Sequence, residues 1–168
     1  MAQADGLPWG QAMKPASQRT RPRIGDVIEI GTPKGLAYAQ YTHKHDEQPR
    51  YGALIRVLPG LYKTRPVSFN DLVKRKERFF VFFPLGAACK RGIVTIVANE
   101  VIPKSACPFP TFRSRATERP SWELWDGHRY WCVYKLTPEQ RSLPILAVWN
   151  DTLLIDRIVQ GWSPADER

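Results

Sequence analysis

Apolar and β-branched residues in this chain fall in short runs bounded by glycine, proline and asparagine, a pattern that predicts strands rather than long helices. Ile24 to Ile30 is the first such run. The turn formers Gly31-Thr32-Pro33-Lys34-Gly35 separate it from a second, Leu36 to Thr42, so the two predict an antiparallel hairpin. Tyr51 to Leu58 reads as a third strand, closed by Pro59-Gly60. Arg78 to Phe83 holds four phenylalanines and a valine; apolar on both faces, it predicts a central strand covered from two sides. Gly86 to Gly92 reads as a turn region and Ile93 to Ala98 as a further strand. Pro103, Pro108 and Pro110 then mark a long irregular connection.

Helical signals are few. Ser68 is a candidate N-cap for a short helix through Lys74, with Asp71 at its third position and Lys74, Arg75 and Lys76 at its last turn. Thr137-Pro138-Glu139-Gln140 opens one helical turn, with proline at the first helical position. Asn150 or Asp151 caps a last helix that runs to about Gln160, where Gly161 ends it. Leu154, Ile155, Ile158 and Trp162 share one face of that helix, and the stripe reads as packed core.

Trp122 to Tyr134 carries the clearest local signal. Asp126-Gly127 between two strand-like runs predicts a two-residue hairpin turn, which sets Trp125 opposite His128 and Trp122 opposite Trp131. One face then holds Trp122, Leu124, Trp131 and Val133 and is assigned to the core. The other holds Glu123, Trp125, His128, Tyr130, Cys132 and Tyr134 and is assigned to the surface. Glu123, Trp125, His128 and Tyr130 are therefore the candidate partner-binding residues, because aromatics with polar edges suit interface centres.

These elements predict a mainly β (β-rich α+β) domain over residues 23–163, a partly closed antiparallel sheet or small barrel with two or three short helices. A flexible basic tail, residues 1–22, precedes it, and a disordered end, residues 164–168, follows. With 43% hydrophobic and 24% charged residues the balance is globular. No run is long and apolar enough to span a bilayer, and the first thirty residues lack the apolar core of a signal peptide, so a cytoplasmic protein without a membrane partner is expected. Cys89, Cys107 and Cys132 are too few for a disulfide framework.

Charge changes the picture more than composition does. Residues 50 to 115 carry thirteen basic and three acidic side chains, which exceeds the whole net charge of +9. The densest point is Lys74, Arg75, Lys76 and Arg78, the candidate nucleic-acid-binding residues of an alternative reading in which basic and aromatic side chains hold a single strand. A solvated face is the competing explanation for the same charges. No phosphate-binding glycine loop, zinc-protease helix, nucleophile elbow or Cys-x-x-Cys pair occurs, so neither catalysis nor a cofactor is expected. His43-Lys44-His45-Asp46 is the best metal candidate. It lacks further ligands besides His128 and a cysteine, and no metal is expected either.

Gly25-Asp26-Val27-Ile28-Glu29-Ile30, the tyrosine-bearing Leu36-Ala37-Tyr38-Ala39, Gly60-Leu61-Tyr62, Ile96 to Pro103 and Pro108-Phe109-Pro110 together resemble the immunity protein 26 family of bacterial polymorphic toxin systems. The likeness covers residues 24–115. It implies a mostly β protein that neutralises a cognate toxin domain by binding it, and it carries over no binding residues. Inhibitors of nucleases are usually acidic, whereas this chain is basic, so its target surface should be acidic or apolar, or contact should come from the slightly acidic carboxyl third. The Gly-Asp-Val opening is also similar to small barrel ribonuclease toxins, a likeness that implies Arg56, Arg78 and His43 as catalytic groups. The leading expectation is a non-enzymatic protein-binding module.

Overall fold

The computed structural model describes residues 18–167. Five strands form one antiparallel sheet: β1 (Asp26–Thr32), β2 (Gly35–His45), β3 (Gly52–Val57), β4 (Phe79–Phe82) and β5 (Val94–Asn99), in the order β4-β3-β2-β1-β5. Three more, β6 (Phe112–Arg115), β7 (Trp122–Trp125) and β8 (Tyr130–Val133), form a second antiparallel sheet in sequence order. Three short helices, α1 (Phe69–Val73), α2 (Leu85–Lys90) and α3 (Asp151–Gln160), complete a mainly β architecture. No helix among the described residues is long and apolar enough to cross a membrane.

Strict alternation sorts the large sheet into two faces. Ile28, Ile30, Ala37, Ala39, Tyr41, Ile55, Val57, Phe79 and Val81 point one way, into a core closed by α2, α3, Trp149 and Trp162. Tyr38, Gln40, Leu54, Arg56 and Phe82 occupy the intervening positions and point the other way. There Val27, Tyr38 and Leu58 pack with Leu72 and Val73 of α1, and Leu54 and Phe82 pack with Phe112 and Trp125 of the second sheet. The run of phenylalanines is thereby explained, since β4 is covered on both faces as expected.

β4 lies at the end of the sheet rather than at its centre. Its edge is occupied by the segment 144–149, which joins the two sheets. The Trp149 N–H donates to Phe82 O, the Leu146 N–H to Arg113 O and the Arg113 N–H to Pro144 O, with parallel bridges Phe82–Val148 and Arg113–Ile145. Neither that segment nor β6 has a strand pattern long enough to be read from sequence.

The predicted caps are present. Ser68 Oγ accepts from the Asp71 N–H, Asn150 Oδ1 accepts from the Leu153 N–H, and Gly161 ends α3 at φ +68°. Gly86 to Gly92, expected as a turn, is mostly α2, because Leu85, Ala88 and Cys89 bury one side of a helical turn against the core. The end 164–168 was expected to be disordered. Instead Pro164–Asp166 is a 3-10 turn with Pro164 buried and its carbonyl bound by Arg113. Residues 1–17 of the expected tail lie outside the described residues. Its remainder is tied down, with Gln18 donating to Ile96 O and Arg19 gripping Asp26.

Asp26 is fully buried. Burial pushes its carboxyl up, but hydrogen bonds from Arg19, Asn99 and the Arg23 N–H outweigh burial and hold it below the ordinary aspartate range. A carboxyl depressed on folding stabilises above its unfolded pKa of about 3.9, and that contribution is lost as pH falls through the lower folded value. Thermal unfolding should therefore show a midpoint that drops on acidification below about pH 4. Asp26→Asn should be less stable at neutral pH and lose less on acidification. Equal acid losses in both proteins would place the sensitivity elsewhere.

Candidate binding surface on the second sheet

The second sheet is built around the loop at Asp126. Asp126 Oδ1 accepts from the N–H groups of His128 and Arg129 at 3.0 and 2.8 Å, and the Asp126 N–H donates to Arg129 O at 3.2 Å. The side chain thus supplies an Asx turn, and the loop takes four residues, Asp126 to Arg129, instead of the expected two. Gly127 is needed there at φ +100°, and a Cβ would lie 3.0 Å from the Phe109 ring.

The pairing moves accordingly, to Trp125–Tyr130, Leu124–Trp131, Glu123–Cys132 and Trp122–Val133. A shift of two residues keeps every side chain on its predicted face. Leu124 is buried and His128, Tyr130, Cys132 and Tyr134 are exposed as expected, but two tryptophans exchange roles. Trp125, expected at the surface, is 2% exposed, within ring contact of His45, Tyr51, Phe109 and Phe112 and stacked on Tyr130. Trp131, expected in the core, is 39% exposed. The apolar floor that decides this, Phe82 with Phe112, lies on distant strands and on the Trp125 side.

Of the four candidate partner-binding residues, Trp125 is therefore unavailable to a partner. Glu123 is half-buried, and His128 and Tyr130 are exposed, with His128 Nδ1 3.7 Å from the Glu47 carboxylate. Tyr130 keeps a phenol pushed up to about 12 by burial and by its hydrogen bond with Tyr51. The exposed aromatics in and beside β8 are Tyr130, Trp131 and Tyr134. β8 pairs with β7 on one side, and among the described residues no backbone group of Tyr130 to Val133 has a partner on the other. Exposed cations lie at the two ends of β8, Arg129 before it and Lys135 after it, and Arg141 lines a groove with Tyr134 and Lys135.

The candidate nucleic-acid residues lie elsewhere, at the end of α1 and in the residues that follow it. Arg78 donates to Trp162 O and Ile158 O and so secures the end of α3, while Arg75 donates to the Tyr62 hydroxyl. Lys74 is exposed, 3.7 Å from Asp71, and Lys76 is exposed. Of the basic residues in the middle of the chain, Arg56 and Arg113 are buried and Arg65 pairs with Glu29 at the surface, while most of the others are exposed.

Of the groups implied by the ribonuclease likeness, Arg56 is sequestered by Gln40, Glu77, Val73 O and Arg75 O, and Arg78 by the end of α3. His43 faces a different cleft, of about 440 Å³, which also holds His45 and His128. His43 and His45 are two apart on β2, beyond a bulge between Tyr41 and His43, and so point the same way. His43 Nε2 donates to Cys107 O at 2.7 Å and His45 Nε2 to Gly127 O at 3.4 Å. Among the described residues no three histidine, cysteine or acidic side chains converge as a metal site.

No family model matches the chain, and neither a curated protein nor a solved structure matches it.

Proposed function

We propose that this protein is a non-catalytic binding module that takes an extended segment of a protein partner onto the free edge of β8. The observation that carries the reading is the unpaired edge itself, flanked by exposed Tyr130, Trp131 and Tyr134. An open strand edge is a template for another strand, and folded proteins usually blunt it with charge, proline or a covering loop. Backbone pairing supplies affinity in strand addition, and alternate side chains supply selectivity. Large aromatics beside the edge add the buried area that interface centres use. The likeness of residues 24–115 to immunity protein 26 supports a toxin domain as that partner, neutralised in the cytoplasm of the producing cell. Arg129 and Lys135 at the two ends of the edge support a partner surface that is acidic there, which agrees with the basic character of the chain.

A display selection of random peptides on the full chain tests this. Enriched peptides should slow amide hydrogen exchange across Tyr130 to Val133, and Trp131→Asp should weaken them roughly tenfold or more while leaving thermal stability nearly unchanged. Failure to enrich any peptide, or protection that avoids β8, overturns the reading.

A further inference from the structure

β8 turns only alternate backbone groups to its free edge. The Asp126 N–H donates to Arg129 O, which makes those two a hydrogen-bonded pair, and alternation makes Leu124–Trp131 and Trp122–Val133 hydrogen-bonded as well. Tyr130 and Cys132 therefore aim their N–H and C=O groups away from β7. Trp131 and Val133 share one face of the strand. Arg129, two positions before Trp131, and Lys135, two after Val133, bracket that row.

Both cations are available. Arg129 lies 3.6 Å from the Asp126 carboxylate, yet 84% of its side chain is exposed. Lys135 is exposed and lines a groove with Arg141. Glu167 lines the same groove, but its carboxylate is turned to Trp162 Nε1 at 3.2 Å and Arg157 at 3.8 Å. An open edge is as good a template for another copy of this chain as for a partner, and charge is one means by which folded proteins prevent that. Self-pairing has a definite geometry here. Two copies related by a twofold axis and paired antiparallel through Cys132 set Arg129 of each directly opposite Lys135 of the other. Centring the pair on Trp131 instead leaves the same two cations diagonal. Like charges facing each other across paired strands are destabilising, and the twofold repeats the contact.

We infer that Arg129 and Lys135 are the specificity-determining residues of this edge. They turn away a second copy of the chain and admit a strand that carries two carboxylates six positions apart, with apolar residues between them on the same face. The inference rests on the edge-strand reading and adds the partner's spacing. Six residues of extended chain span about 20 Å, so a strand lying along β8 meets one cation near each end. An even spacing keeps both acids on the Trp131 face.

Charge reversal tests this without knowledge of the partner. In Lys135→Glu the new carboxylate faces Arg129 of the other copy, and self-pairing becomes complementary. Sedimentation should show this variant dimerising roughly tenfold more tightly than the parent or better, with slower amide exchange across Tyr130 to Val133 and dissociation at about 0.5 M salt. Arg129→Glu combined with Lys135→Glu restores like charge and should be monomeric again. Peptides enriched against the full chain should share two acidic residues six apart, and Lys135→Glu should weaken them roughly tenfold. A Lys135→Glu chain no more associated than the parent, or a parent that already dimerises through β8, overturns the inference. Peptides that protect β8 yet bind the parent and Lys135→Glu equally also overturn it and leave the edge-strand reading standing. Failure to enrich any peptide, together with a monomeric Lys135→Glu chain, overturns both.

Discussion

Trp125→Ala is expected to lower the unfolding free energy by about 3–5 kcal/mol, the range for emptying a buried aromatic site. The indole fills the junction of the two sheets, in one cluster with Leu54, Phe82 and Phe112, and its edge meets the His45 ring at 4.9 Å. Four of its aromatic neighbours come from β2, β4, β6 and the segment before β6, so the site cannot collapse without moving strands apart. Trp131→Ala, one strand away on the opposite face, should cost about 1 kcal/mol or less, because its ring already meets solvent. Urea unfolding of both variants checks the contrast. A Trp125→Ala protein as stable as the parent would mean that the second sheet does not dock as described.

That contrast also marks where sequence reasoning stops. The strands of the first sheet, the caps Ser68 and Asn150 and the stop at Gly161 were legible because each depends on residues within a few positions. The two faces of Trp122 to Val133 were legible for the same reason, since alternation survives a register shift of two. The burial of Trp125 was not legible: it depends on Phe82 and Phe112, one of them on a strand too short to announce itself. Likewise the loop at Asp126 turned on a side chain competing with the backbone for N–H groups, and the dipeptide Asp-Gly permits both outcomes. The cationic residues were visible as a count, but their partners lie far along the chain, as with Arg113 and Pro164. The total therefore did not show which cations the fold encloses and which it leaves at the surface.

Arg56 is the other residue whose loss should be severe. It sits between the cluster under α1 and the cluster under the second sheet, and its guanidinium donates to Gln40 Oε1, Val73 O, Arg75 O and Glu77. Burial pulls its pKa down, the Glu77 carboxylate opposes this, and the hydrogen bonds leave it charged and fully partnered. Gln40 in turn donates to Glu100 O and Gly25 O, so one buried polar belt ties the end of α1 to the start of β1 and the end of β5. Arg56→Met keeps the volume and removes every donor, leaving buried carbonyls and an amide oxygen unsatisfied; a cost of roughly 3–5 kcal/mol is expected. Arg56→Lys should recover little, because a single ammonium cannot span acceptors that the planar fork reaches together. Hydrogen exchange should quicken first in α1 and the residues following it, whose carbonyls Arg56 holds. The same variant judges the ribonuclease likeness: a side chain committed to structure unfolds the domain when it is lost, whereas one committed to catalysis is removed with stability intact. An Arg56→Met protein of unchanged stability would therefore return Arg56 to the list of candidate catalytic groups and remove it from the framework that holds α1.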